Sequence, residues 1–312
     1  MPLTYAGDQV SVLIKDAENA FFDHENEFVN QEKEFIKSEF EKMSILDSAS
    51  SVAGGAGVDS LNISDSLISY EESNLKGDLK NYFKACTLYI KGNADEISGD
   101  HQSALDKYKG SIELVKNTKY VKWSVFPYFY ANKKSGLLKI KYEKWSEAAL
   151  FLENCLTLKI KPGEFYLRSL LVRCYLKTKK LEKAFEILKY IEMKKPSFYS
   201  PEKCPDYEAF NFDRALCYFE KGVYEKSLEI FRSIAKSNIN VTEKSRCASV
   251  FYCARSHEEL GNISEARLNY QWMISYYNTQ ENEYFCSLAR KRLEYLNDKF
   301  IKEESINYFI NG

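Results

Sequence analysis

Three histidines and eight cysteines are the side chains of this 312-residue chain best suited to chemistry, and their placement offers little of it. His24, His101 and His257 are far apart in sequence. Cys86, Cys155, Cys174, Cys204, Cys217, Cys247, Cys253 and Cys286 form no CxxC pair, and Cys247 and Cys253 have no His at metal-site spacing. They are expected to be buried free thiols. Glu71-Glu72 and Glu258-Glu259 are adjacent carboxylates without a partner residue, and they read as helix-surface pairs. Neither HExxH, GxSxG nor a kinase signature occurs. The run Ala53-Gly54-Gly55-Ala56-Gly57 lacks the Lys-Ser/Thr ending of a phosphate loop. No catalytic residue, metal or cofactor is assigned, and the chain is not expected to be an enzyme.

Charge is more informative than motif. The chain carries 44 basic and 45 acidic residues, a net of -1, so a globally basic nucleic-acid binder is not indicated. The charges are segregated. Residues 1–75 hold 4 basic and 15 acidic residues, a net of -11. Residues 119–203 hold 19 basic and 8 acidic, a net of +11. Lys133, Lys134, Lys141, Arg168, Arg173 and Lys177 in that stretch are the candidate interaction surface, with Tyr128, Tyr130, Tyr142 and Trp145 interleaved. An acidic protein or peptide is the preferred partner, and a nucleic-acid backbone is the less favoured one.

The elements that must position these groups are helical. From 10 to 43 there is no Pro or Gly, and Phe21, Phe28 and Phe35 recur every seven residues beside Phe22, Val29, Ile36 and Met43. Two adjacent lines give a broad apolar face rather than a coiled-coil seam. This candidate docking helix is expected to pack on the body of the same chain or of a second copy. Residues 44–69, rich in Ser, Gly and Ala, read as a flexible linker. Residues 70–300 read as a helical repeat domain ending in a capping helix, and 301–312 as a tail. Asp8, Lys15, Asp16 and Glu18 interrupt any secretory leader, and no apolar run is long enough to span a bilayer. The cytoplasm is the expected location.

Five segments share one skeleton. Ala104, Ala148, Ala184, Ser227 and Ala266 are small residues near the start of a second helix. Four residues later stand Tyr108, Leu152, Leu188, Phe231 and Tyr270, and three further on Ser111, Cys155, Ile191, Ile234 and Met273. That spacing holds one helix face. Gly92, Gly136, Val172, Ala215 and Ala254 occupy the close-contact slot of each first helix, with Tyr175, Tyr218 and His257 three residues after the last three. Gly99, Gly222 and Gly261 end first helices. Phe285, Leu288, Ala289, Leu293, Leu296 and Phe300 mark a capping face, with Arg290, Lys291, Arg292 and Lys299 turned to water. The predicted core includes Gly136, Leu152, Tyr175, Ala184, Leu188, Tyr218, Phe231, Ala254, Ala266 and Tyr270.

This constellation resembles the tetratricopeptide repeat (TPR) family over about residues 75–280. It is clearest at Gly92-Asn93-Ala94 through Gly99 to Ala104-Leu105 and Tyr108, at Leu181 through Ala184 to Pro196, and at Gly261 through Ala266 to Tyr270. Successive small positions lie 44, 36, 43 and 39 residues apart, longer than the family period, so insertions are expected near 116–124 and 197–206. The resemblance implies an all-α, right-handed α-solenoid of stacked antiparallel helix pairs. It implies a non-catalytic adaptor or scaffold that holds a peptide or helix in a groove. Asn93 matches one residue of the family's chaperone-tail clamp, but Tyr89, Lys134, Tyr166 and Leu170 stand where the other clamp residues belong. Alternatives are a structural subunit docked through the N-terminal helix, a cell-envelope repeat module, suggested by the stretch from Phe251 to Leu293, and a nucleic-acid-binding repeat protein using residues 119–203.

Overall fold

The computed structural model describes residues 77–118, 127–158, 163–194, 207–237 and 241–311. The segment with Phe21, Phe28 and Phe35 expected to be a docking helix, the stretch 44–69 expected to be a linker and most of both expected insertions lie outside the described residues. Eleven α-helices occur among the described residues. They are α1 (Gly77–Ser98), α2 (His101–Lys116), α3 (Tyr128–Lys141), α4 (Trp145–Leu156), α5 (Glu164–Lys177) and α6 (Leu181–Met193). They continue as α7 (Tyr207–Glu220), α8 (Tyr224–Lys236), α9 (Glu243–Glu259), α10 (Ile263–Tyr276) and α11 (Glu283–Asn311), the last preceded by a 3-10 turn at Gln280–Asn282. The class is the expected one: all-α, with stacked helix pairs of the TPR kind. The last helix continues through 301–311, the stretch read from sequence as a tail.

Two compact units divide the chain, Met1–Leu167 and Arg168–Gly312. In the first, α1 pairs with α2 and α3 with α4, and α2 packs on α3. In the second, α7 pairs with α8 and α9 with α10, while α6 packs on α7, α8 on α9 and α10 on α11.

One turn joins the two helices of each pair, and it recurs five times. The residue five before the small position always has a positive φ: Gly99 (90°), Glu143 (56°), Lys179 (59°), Gly222 (74°) and Gly261 (77°). The next residue closes the first helix with its N–H and opens the second with its carbonyl. Lys180 donates to Tyr175 O at 2.8 Å, and Ala184 N donates to Lys180 O at 3.1 Å; Asp100, Lys144, Val223 and Asn262 repeat the pattern. This left-handed cap satisfies carbonyls that the helix end would otherwise leave open.

The five small residues and the five four places later are fully buried. The whole predicted core is buried. The close-contact slot explains why: a Cβ on Gly92 would stand 2.8 Å from the Tyr108 ring, and one on Gly136 3.0 Å from Leu152. The absent side chain on the first helix is the space that the large residue of the second helix fills. In the second unit a core cluster containing Phe251, Ala254, Ala266, Tyr270, Met273, Ala289 and Leu296 ties α9, α10 and α11 together. Through this cluster α11 covers apolar surface of the last helix pair.

Candidate functional site: the first-helix faces and their charges

Within each unit the pairs set their first helices side by side. In the first unit the Tyr89 and Tyr130 rings, on α1 and α3, lie 6.4 Å apart. Lys133 on α3 reaches the Tyr166 ring at the start of α5, at 5.8 Å. In the second unit Phe212 of α7 meets Tyr252 of α9 at 5.9 Å, and Phe251 of α9 meets Phe285 of α11 at 5.6 Å. These ring contacts place neighbouring first helices against one another within each unit.

The structure sorts the six candidate cations. Lys134 Nζ lies 3.2 Å from Glu96 Oε1, and Arg173 Nε donates to Asp213 Oδ2 at 2.7 Å. The Arg168 guanidinium stacks over the Tyr190 ring at 3.8 Å. Lys177 ends α5 and is exposed. Lys141 Nζ lies 3.3 Å from His101 Nε2, and the other nitrogen of that ring contacts the Tyr142 hydroxyl at 2.5 Å. Lys133 has no carboxylate partner among the described residues, and burial pushes its ammonium below the ordinary lysine value. Lys133, Lys134 and Lys141 share α3 in the first unit; Arg168, Arg173 and Lys177 belong to the second.

Two sequence expectations are corrected. Glu258 is not a surface carboxylate: its side chain is 8% exposed, with Arg292 Nε at 3.2 Å and Tyr270 Oη at 3.0 Å. Arg292 accordingly does not face water but turns inward to that carboxylate, because an uncompensated buried charge would cost far more than the ion pair. His101 is held between Lys141 and Tyr142.

A third ionic knot went unseen in the sequence. Glu192 accepts hydrogen bonds from Tyr218, from Lys226 at 3.1 Å and from Arg214 at 2.8 Å. Burial alone would raise its carboxyl, but these donors outweigh it and hold the group below the usual carboxylate range. The signal that could have found these knots is positional. In the first and last pairs a Glu stands eight residues before the small position and a Tyr four after it: Glu96 with Tyr108, and Glu258 with Tyr270.

Seven cysteines are buried free thiols, as expected; Cys204 lies outside the described residues. Burial pushes Cys155, Cys174, Cys217, Cys247 and Cys253 up to about 12, so they stay protonated and unreactive at neutral pH. Among the described residues no cluster of His, Cys, Asp and Glu could hold a metal ion, and no helix is long and apolar enough to cross a membrane.

No protein-family model matches the sequence, and no curated protein matches it. Solved structures do. YrrB, a TPR protein with an unusual peptide-binding site, superposes with a TM-score of 0.50 at 16% identity, over 72% of this chain and 96% of that one. TPR-like repeats of a putative kinesin light chain from Podosopora anserina superpose with a TM-score of 0.40 at 17% identity, over 61% of this chain and 92% of that one. The first likeness supports the fold read from the helix pairs.

Proposed function

We propose that the protein is a non-catalytic interaction adaptor whose first unit receives an acidic peptide or helix on the face formed by α1, α3 and the start of α5. One observation carries the reading. Lys133 is a half-buried ammonium beside the Tyr166 ring, without a carboxylate partner among the described residues. A ligand carboxylate would relieve the burial cost that now lowers its proton affinity. Lys141, eight residues on along the same helix and about 12 Å away, offers a second positive contact. Lys134 and Arg173 already neutralise carboxylates of this chain, so less free positive charge remains for a phosphate backbone. A peptide ligand also accords with the peptide-binding site of YrrB.

Residues 1–75, with 15 acidic and 4 basic residues, are an internal candidate for the same surface, and their apolar helix would supply adhesion. Buried free thiols support a reducing compartment such as the cytoplasm. The test is capture of partners from the native source by the full chain, compared with the K133E/K141E variant. The variant should lose the partners whose capture by the parent is salt-sensitive. An unchanged partner set, with the variant folded by circular dichroism, would remove this surface from consideration.

A further inference from the structure

The fold brings together two cysteines that stand 39 residues apart in the sequence, Cys247 and Cys286. Cys247 lies in the second turn of α9 and Cys286 in the first turn of α11. Both are 0% exposed and belong to the core cluster that joins α9, α10 and α11. Their thiols are in direct contact. Cys247 donates a hydrogen bond to the Cys286 sulfur, and Cys286 Sγ donates onward to Tyr277 O at 3.3 Å, where α10 ends. A second tie holds the same two helix starts. Asn282, buried in the 3-10 turn before α11, donates to Glu243 Oε1 at the start of α9, at 3.2 Å.

These thiols play no part in the acidic-ligand face, which belongs to the first unit, whereas the pair lies in the second. The hydrogen-bond chain also sets their orientation. Cys286 directs its proton to the Tyr277 carbonyl and presents a sulfur lone pair to Cys247. An S–S bond, about 2.0 Å long, is shorter than any thiol–thiol contact. Joining the pair would draw the two helix starts closer together.

We propose that Cys247 and Cys286 are an oxidation site, which a peroxide converts into a disulfide stapling α11 to α9. The Cys286 thiolate attacks one oxygen of hydrogen peroxide and the O–O bond breaks. Cys286 becomes a sulfenic acid, and the other oxygen leaves as water after taking up a proton. The Cys247 sulfur then attacks the sulfenic sulfur. The S–OH bond breaks, and the hydroxyl leaves as a second water with the Cys247 proton. Two thiols are oxidised to one disulfide, and one peroxide is reduced to two waters. While α11 is in place, burial keeps both thiols protonated and shielded. The reaction therefore runs through local opening of the first turns of α11. Once formed, the staple holds Phe285, the neighbour of Cys286, against Phe251 of α9. A dithiol reductant releases it.

The test treats the full chain with hydrogen peroxide, with and without urea below the unfolding transition, and then alkylates the remaining thiols in denaturant. Peptide mapping without reductant should find Cys247 joined to Cys286 with the loss of two hydrogens, and dithiothreitol should reverse the link. The thermal midpoint should rise by roughly 5–10 °C. Amide exchange in the first turns of α11 should slow by at least about tenfold. Cys286→Ser should abolish both gains and leave Cys247 alkylatable. The mapping on the unaltered chain decides the matter whether or not that variant folds. Two thiols that remain alkylatable under both conditions overturn the proposal. So do a sulfinic acid at Cys286 without a link, a link from either cysteine to Cys204 instead, or a Cys247–Cys286 link that leaves exchange in α11 unchanged.

Discussion

Tyr108 in the first helix pair and Tyr270 in the last each donate a hydrogen bond to a glutamate twelve residues earlier, yet the two sites differ in everything around that bond. The Tyr108 hydroxyl meets Glu96 at 2.6 Å, and a single cation, Lys134 of the next first helix, completes the group. Glu96 keeps 24% of its side chain exposed. At the other end Glu258 is far more enclosed and faces two guanidinium groups, Arg292 from α11 and Arg255 at 3.6 Å from its own helix. The helix approach differs too: Gly92 faces Tyr108, whereas Ala254 occupies the equivalent slot beside Tyr270. The repeat thus keeps one hydrogen bond and changes its dielectric setting. A carboxylate that retains water can manage with one lysine, while one sealed under the terminal helix requires a forked, doubly charged partner.

The sharpest way to break that comparison is to remove both carboxylates. Glu258→Ala leaves Arg255 and Arg292 facing each other and Tyr270 without its acceptor. A loss of about 3–5 kcal/mol is expected, concentrated in α9–α11. Glu96→Ala removes a half-wet pair and should cost about 1 kcal/mol. Urea denaturation with hydrogen exchange along α9–α11 reads both. Equal losses at the two sites would mean that burial does not set the difference.

Gly92→Ala tests the other half of the comparison. In an open helix this change gains about 1 kcal/mol through propensity. Here the added Cβ lies 2.8 Å from the Tyr108 ring and 3.2 Å from the Ala104 carbonyl. The ring cannot swing aside without giving up Glu96, so a net loss of about 1–3 kcal/mol is expected. Ala254→Gly in the last pair makes no clash and should cost about 1 kcal/mol. A thermal melt in which G92A gains stability would show that Tyr108 is free to move.

Much of this was legible beforehand. The small residues, their partners at four and seven, and the burial of Tyr175 and Tyr218 followed from spacing, because a helix pair buries a fixed set of positions whatever its neighbours do. The ionic knots were not legible. Glu258 finds Arg292 only 34 residues on, through the stacking of one pair on the next, and its neighbour Glu259 is exposed, so the pair read as surface. The basic stretch was seen as a charge run, but only the fold separates Lys134 and Arg173, which serve carboxylates of this chain, from Lys133.

His257 sharpens the comparison through pH. It fills the slot held by Tyr175 and Tyr218, and its Nε2 accepts from Arg232 Nη2 of α8 at 3.3 Å. Its Nδ1 is buried without a partner. Burial, with Arg232 second, lowers the imidazole below its ordinary 6.5, while Glu265 of α10 opposes them weakly. The unfolded chain therefore binds the proton more readily than the folded one. The stabilisation is present in full above pH 6.5 and is lost as pH falls toward the folded-state value. Thermal midpoints of the full chain should drop more steeply through this window than those of His257→Tyr, which places there the residue type found at Tyr175 and Tyr218. Parallel curves would remove His257 as a source of acid sensitivity.

The smallest effect belongs to the turns, and it separates sequence from conformation at its plainest. All five pairs place a positive φ at the same position, yet two of them do so without glycine, at Glu143 and Lys179. A side chain in the left-handed region costs about 1–2 kcal/mol through contact between Cβ and backbone. Glycine removes that strain but gives the unfolded chain about 0.4–1 kcal/mol of additional entropy. Lys179→Gly should therefore raise stability by only about 0.5 kcal/mol, the difference of these two terms. The same change at Gly99, reversed to Lys, should lower it by a similar amount, since nothing surrounds that position to clash. Matched melts of K179G and G99K isolate backbone conformation from packing, because the Cβ at Gly99 meets open space. Opposite shifts of similar size are the expected result. If K179G instead lost stability, the Lys179 side chain would have to contribute more than its backbone strain costs, and the five turns would not be equivalent.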